Sequence, residues 1–461
     1  MPRLGVSSVG DVGHELGSPA MHFSLPWGTG RVELPLPEGW RVAQVAPAGY
    51  EAPPVPAAEV VRAALDAPLG AKPFSRRDLS DERVAVVIDT RTRTDAIPLL
   101  FRQVLRRLLE AGASPERVRL LFATGTDAPL DEPRRISLLG WAGALPFQSR
   151  CSAWNDEAHL SFLGKTRART PVYLDRWLDD ADLILVLGAS DVDPFYGFGG
   201  GLRAIVPGCA GRETLEAYPD LLAAQPEPWL AGKGADDNPL AADADEAARM
   251  CPAEILVVSA VLDERGQLVH AFAGEPGHVA RAVAATLTEG SALAPVAPVE
   301  VVVASSTPFD ADLREGLRAV ALAAPFAVEG GTVLACLKCD QGGPTALMVP
   351  RFVPNAVLRL FLETVGNQRV LKYVRKTWRD LTPEEVLWAW LVLVILRRRR
   401  VLVWAPNLGA DAARRYGPIE WFGDLEEAFE RVGKAHPGAR AYLIGHAGLA
   451  WRRREGPVGG G

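Results

Sequence analysis

No apolar run in the 461-residue sequence is long enough to cross a bilayer. A membrane span needs about 20 apolar residues. The strongest candidate, VLWAWLVLVIL at 386–396, reaches about half that length. It follows Thr382-Pro383-Glu384-Glu385 and ends in Arg397–Arg400, so acids open the segment and arginines close it, as the dipole of one buried helix favours. A core helix and no membrane partner are therefore expected. A basic field is lacking as well: 50 Lys and Arg against 56 Asp and Glu leave a net charge of −6, which excludes the phosphate-binding surface that nucleic acid requires. Cysteine is sparse and odd in number, five scattered residues, which argues against a disulfide framework and for a reducing compartment. The opening MPRLGVSSVGDVGHELGSPA lacks the basic start and continuous apolar core of a signal peptide, and a cytoplasmic location is expected.

Metal-ligand spacing is missing too. His159, His270, His278 and His446 form no spaced set. Cys336-Leu-Lys-Cys339 has no second pair at matching distance, because Cys151, Cys209 and Cys251 are isolated. A zinc or redox use for it is outweighed by the reading of two small residues near a packed strand end. No metal site is assigned.

What the chain does have is alternation. Valine- and leucine-rich runs at 84–88, 118–123, 183–187 and 255–259 alternate with amphipathic segments such as 98–111 and 171–180. The rhythm breaks at EGSALAPVAPV, 289–299, and resumes with runs at 300–304, 332–336, 401–404 and 441–444 between helical patterns at 310–323, 354–364, 383–400 and 424–435. This predicts two α/β domains with mainly parallel sheets: an extension at 1–22, a first domain at 23–288, a linker at 289–299 and a second domain at 300–461. Ligands of such sheets bind beyond the carboxyl ends of the strands, so a cleft between the domains is the expected site. The stretch 223–245, rich in proline, glycine and acids, reads as a surface loop.

The most informative segment is Gly188-Ala-Ser-Asp-Val-Asp-Pro-Phe-Tyr-Gly-Phe-Gly-Gly-Gly-Leu-Arg-Ala-Ile-Val-Pro-Gly208, a glycine loop after an apolar strand. Such a loop lets backbone N–H groups approach an anion. It stands in order with Phe122-Ala-Thr-Gly-Thr-Asp127, with Glu254 to Gly274, and with Ser305-Ser-Thr-Pro-Phe-Asp-Ala-Asp312 followed by Gly330-Gly331. Together, over roughly Phe23 to Trp451, these segments resemble the nickel-dependent lactate racemase family of 2-hydroxyacid racemases and epimerases.

The resemblance implies a nickel-pincer nucleotide joined to a loop lysine, a nickel-ligating histidine and two acid/base histidines. Position by position these fall on Arg203, at or beside Pro219, and on Asp127 and Asp193; none is retained. Arginine offers no free amine, proline no ligand, and aspartate is a poor base for an alcohol unless burial raises it. The cofactor is therefore unknown. The resemblance also places Arg93 (with Arg91 nearly as good a match), Thr124, Gly125, Gly199, Gly200, Gly201, Arg203, Glu315 and Arg318 toward cofactor or substrate. Arginine forks suit a small anion: a hydroxyacid, a sugar acid or a phosphate. The same arginines pairing with Asp127, Asp193 and Glu315 in a structural charge network is an equal alternative. If Asp127 and Asp193 converge they act as an acid/base pair or hold a hard cation; otherwise they are solvated loop acids. Two functions stay open: an isomerase of a 2-hydroxyacid or sugar acid using different chemistry, or a non-catalytic anion- or nucleotide-binding protein on the same scaffold. The oligomeric state is not legible.

Overall fold

The computed structural model describes residues 23–91, 93–140, 147–294, 296–342, 355–408 and 419–453. The expected extension at 1–22 lies outside these residues. The chain is α/β, built on two six-stranded, mainly parallel sheets.

The first sheet runs, edge to edge, Leu268–Gly274, Glu254–Leu262, Leu183–Ala189, Val84–Asp89, Val118–Ala123, Gln148–Cys151. Only the hairpin Glu254–Leu262/Leu268–Gly274 is antiparallel. Every residue of Val84–Asp89 and Leu183–Ala189 is buried, which is why these strands read as unbroken apolar runs rather than alternating ones. Their faces divide by parity. Val84, Val86 and Ile88 pack with Leu100, Phe101 and Leu105 of helix Ile97–Glu110, while Ala85 and Val87 pack with Leu202 and Ile205 on the other side.

The second sheet runs Glu420–Phe422, Arg400–Trp404, Ala327–Cys336, Val299–Ser305, Arg440–Ile444, Arg41–Val45, parallel throughout. Val301, Val303 and Leu443 face Leu25 and Phe429, and Val302 and Ala304 face Leu317, Val320 and Trp390. Its last strand, Arg41–Val45, comes from a segment that the sequence reading assigns to the first domain. The hairpin Ser24–Trp27/Gly30–Glu33 packs there too, through Leu25. Those apolar residues are few and close to proline and glycine, so their pattern carries no address for the sheet they join.

The apolar segment at 386–396 lies in helix Pro383–Arg398, started by a Thr382–Glu385 capping box, with Trp390 buried and donating to the Asn367 carbonyl at 3.1 Å. Among the described residues no helix is long and apolar enough to cross a membrane. Three local expectations change. Residues 171–180 form strand Pro171–Asp175 and only one helical turn, Arg176–Asp179. The stretch 223–245 is not a surface loop throughout: helix Pro239–Ala248 begins within it, capped by Asn238 and buried at Leu240, Ala241 and Asp243. Within 289–299, Ala292–Leu293 pairs with Trp451–Arg452.

A surface pair at the start of the first sheet predicts acid behaviour. Asp182 accepts from the Arg83 backbone N–H at 2.9 Å and from its guanidinium at 3.0 and 2.8 Å. Those bonds, the guanidinium's first, hold its carboxyl down at about 2. A carboxylate with a folded pKa below its unfolded one stabilises above about pH 4, and that contribution disappears as pH falls toward 2. Thermal unfolding of Asp182→Asn should therefore show a shallower loss of Tm between pH 4 and pH 2 than the parent; identical slopes would exclude the linkage.

Candidate functional site

The loops that follow the carboxyl ends of Val84–Asp89, Val118–Ala123 and Leu183–Ala189 meet two helix starts from the other half of the chain, Leu313–Ala323 and Pro383–Arg398. Three side-chain contacts join the first two of these loops to the helix starts. Arg91 pairs with Glu384, Thr126 Oγ1 donates to the same carboxylate at 2.9 Å, and Arg314 grips Asp127 with both guanidinium nitrogens, one at 3.1 Å. Glu384 is 8% exposed, so this is a largely desolvated clasp. Arg91 lies along Gly125, where an added Cβ would sit 2.8 Å from Nε and where φ is +57°; glycine is needed there on both counts. Thr124 and Gly125 are pinned from behind. Thr124 N–H donates to Ser152 Oγ at 3.1 Å, Gly125 N–H to the Gly208 carbonyl at 2.9 Å, and Ser152 Oγ–H to that same carbonyl at 2.9 Å.

Arg203 lies on a short 3₁₀ turn, Gly201–Ala204, and points into the protein. It pairs with Asp245, packs its guanidinium 5.2 Å from the centre of the Tyr196 ring, and leaves Nη1 buried without an acceptor among the described residues. Burial pushes its pKa below the usual arginine value. Asp193 does not pair with it: its Oδ1 accepts from the backbone N–H groups of Phe195 at 2.8 Å and Tyr196 at 2.7 Å, shaping the turn before the glycines. Tyr196 is buried in the field of Arg91, Glu384, Arg203 and Asp193, and burial raises its phenol.

The glycines serve chain packing. Gly199 N–H donates to the Asp191 carbonyl at 2.8 Å, and Gly200, at φ +80°, passes within a Cβ's reach of the Ala189 carbonyl. Gly201 also has positive φ.

The remaining cations do not gather. Arg93 donates to the Asp263 carbonyl at 2.5 Å, against the Glu254–Gly274 hairpin. Arg318 donates to the carbonyls of Gly448, at 2.9 Å, and Val192, stands 3.9 Å from Asp191, and stacks 4.3 Å from the Phe309 ring centre. Glu315 accepts from Ala311 N–H at 3.2 Å, and burial raises its carboxyl despite Arg314 and Arg318 nearby. In the Ser305 to Asp312 motif, Ser306 and Thr307 donate to Asp310 at 2.6 and 2.9 Å, and Ser305 to the Pro26 carbonyl at 2.6 Å, so the motif fixes the N-terminal hairpin. Cys336 and Cys339 are buried thiols pushed up to about 12 by burial, and no group of three His, Cys, Asp or Glu able to hold a metal occurs among the described residues.

Sequence reasoning did not single out Arg314, Glu384, Tyr196 or Asp245. Two signals were available: the Thr382-Pro383-Glu384-Glu385 start fixes Glu384 at a helix N-terminus, and Asn238-Pro239 marks the start of the helix that carries Asp245. Which partner each meets is tertiary information.

The model for the lactate racemase N-terminal domain matches residues 27–228. The lactate racemase of Thermoanaerobacterium thermosaccharolyticum is 21% identical over 392 residues, covering 83% of this chain and 87% of that protein. Residues 27–228 are thus a lactate racemase N-terminal domain, and the likeness to lactate racemases runs over most of the chain. The Lactiplantibacillus plantarum lactate racemase is 22% identical over 278 residues, 60% of this chain, and the match spans 65% of that enzyme's length. The lactate racemase apoprotein structure from T. thermosaccharolyticum shares the fold, with a TM-score of 0.76 at 18% identity over 94% of this chain and all of that one. A Thermotoga maritima protein superposes with a TM-score of 0.58 at 16% identity, covering 86% of this chain and 97% of its own.

Against the nickel-pincer nucleotide of the lactate racemases, the donor set of this chain does not fit. Arg203 offers a guanidinium already committed to Asp245; at the nickel histidine's position Pro219 is buried inside helix Arg212–Ala223 with no ligand atom, and beside it Asp220 is paired with Arg375. Asp127 is held in the fork of Arg314.

Proposed function

We propose that this chain is a divergent member of the lactate racemase family that binds a small anion, of the hydroxyacid or sugar-acid kind, without the nickel-dependent chemistry of its relatives. The supporting observation is a pair of locked residues. Asp127 and Arg203, at positions matching an acid/base histidine and the attachment lysine, are each closed in an ion pair, with Arg314 and Asp245. The Asp127 carboxylate fills a bidentate arginine fork, the geometry that a ligand carboxylate prefers. A ligand acid competing for Arg314, with Arg318 one helical turn further along, is the binding mode this arrangement favours. The proposal keeps two α/β units, 23–288 and 300–461, joined through 289–299, with Arg41–Val45 lent to the second. A cytoplasmic setting belongs to it as well, in keeping with five free cysteines.

One observation favours a catalytic variant of the same reading. Glu315, next to Arg314 in the helix and three residues before Arg318, is a carboxyl raised by burial and so suited to carry a proton nearer neutral pH. Protein produced beside the nickel-cofactor biosynthesis enzymes should carry no stoichiometric nickel, show no mass adduct on the 197–207 peptide, and leave D- and L-lactate unconverted. Nickel together with an adduct there would overturn the reading. Interconversion of a hydroxyacid or sugar acid without nickel, lost in Glu315→Gln, would select the catalytic variant.

A further inference from the structure

At the far end of helix Pro383–Arg398 from the clasp lies a second feature. Glu384 and Arg397 are separated by 13 residues of helix, about 20 Å at 1.5 Å per residue. There a cavity of about 1010 Å³ opens between the 226–237 segment, the carboxyl ends of helices Leu313–Ala323 and Pro383–Arg398, and Trp451–Arg453. Six cations and three carboxylates line it. One of those carboxylates, Glu329, is already paired with Arg398.

Three other cations donate to neutral groups. Arg397 donates to Asn367 Oδ1 at 2.9 Å, Arg399 to the Ala327 carbonyl at 3.0 Å, and Arg452 to the Val296 carbonyl at 3.0 and 3.2 Å. Among the described residues Arg397 Nε and Nη2, shut from water, have no acceptor, and Trp451 Nε1 on the same wall is likewise buried without one. Buried donors left open cost free energy that a ligand oxygen removes. Burial lowers the affinity of Arg397 and Arg399 for their protons and Arg398 lowers both further; at Arg399 the Glu329 carboxylate acts the other way, ahead of Arg398 and Arg452. An anion between them relieves that repulsion. Trp229 completes the cavity, its ring 5.4 Å from the Arg399 guanidinium.

We propose that this cavity is a binding site for a small polyanion carrying two or more phosphate or carboxylate groups, clamped by Arg397, Arg399 and Arg452, with the rest of the ligand against Trp229. The site is separate from the Arg314 fork and does not depend on the reading given for it. Planar guanidinium forks with neutral partners accept such groups in pairs, and a charge excess in a recess concentrates anions from solution.

Titration calorimetry on the full chain with pyrophosphate, ATP, citrate and adenosine tests it. Binding of at least one of the three polyanions, absent for adenosine and weakening as salt rises, is expected. Phosphate and carboxylate sources separate by whether citrate displaces pyrophosphate. Arg397→Gln and Arg452→Gln should each weaken Kd by about tenfold or more, the loss of one charge-assisted hydrogen bond, while the exposed Arg167→Gln should leave it unchanged. If Arg397→Gln fails to fold, Arg452→Gln decides. No polyanion binding tighter than about 1 mM, or binding that survives Arg452→Gln and any folded Arg397→Gln, overturns the proposal.

Discussion

Glu384→Ala should cost about 3–5 kcal/mol of stability, because it strands the largely buried Arg91 guanidinium without its counter-charge. The carboxylate serves two partners, Arg91 and Thr126 Oγ1 at 2.9 Å, and both come from loops of the first sheet, whereas Glu384 opens a helix of the other half. Glu384→Gln should cost less, since an amide oxygen still accepts from Thr126 while the Coulombic attraction is lost. The double change Arg91→Met with Glu384→Leu should recover much of the loss, as apolar replacement of a desolvated pair often does. Urea unfolding of the three variants checks this. A double mutant no more stable than Glu384→Ala would show that the clasp is not the source of the cost.

Gly197→Ala should be at least as damaging, about 4 kcal/mol or more. Its φ of +77° is strained for any side chain, and a Cβ there would stand 1.8 Å from the Lys233 carbonyl oxygen, a backbone atom that cannot swing away. Gly234→Ala, with nothing within 4 Å, is the matched control and should stay within about 0.5 kcal/mol. Equal midpoints for the two variants would mean that the 226–237 segment yields freely to the glycine loop. Because that segment also walls the polyanion cavity, Gly197→Ala should disturb it as well.

This glycine shows where sequence stops informing. The run Gly197 to Gly201 announces a tight loop, and the structure has one, yet the sequence reading supplies an anion as the reason for close approach where Gly197 meets a carbonyl of the chain itself. The parallel strands were legible because burial on both faces demands continuous apolar runs, as in Val84–Asp89 and Leu183–Ala189. Helix Pro383–Arg398 was legible through its cap and its charged ends. Pairing partners were not. Asp127 could have met Arg93 (or Arg91), Arg203 or Arg318 on sequence grounds, and it meets Arg314, which differs from Arg318 only by a turn of helix. Ion pairs between loops depend on distances that no local pattern encodes. Helix Pro239–Ala248, which brings Asp245 to Arg203, was hidden by the proline, glycine and acids before it.

The strand Arg41–Val45 has a consequence for the order in which this protein can be completed. Its hydrogen-bonding partner is Arg440–Ile444, with Arg41 opposite Arg440. During synthesis the earlier strand is made long before the later one exists, so it emerges with its apolar neighbours, Leu25 among them, and must wait while the whole first sheet forms. Contacts between such remote segments form late, since chain entropy must be lost before they return any stability. The second sheet is thus sealed last, by the two ends of its own history. Until then the edge of Val299–Ser305, which Arg440–Ile444 later covers, stands open as a template for a neighbouring chain.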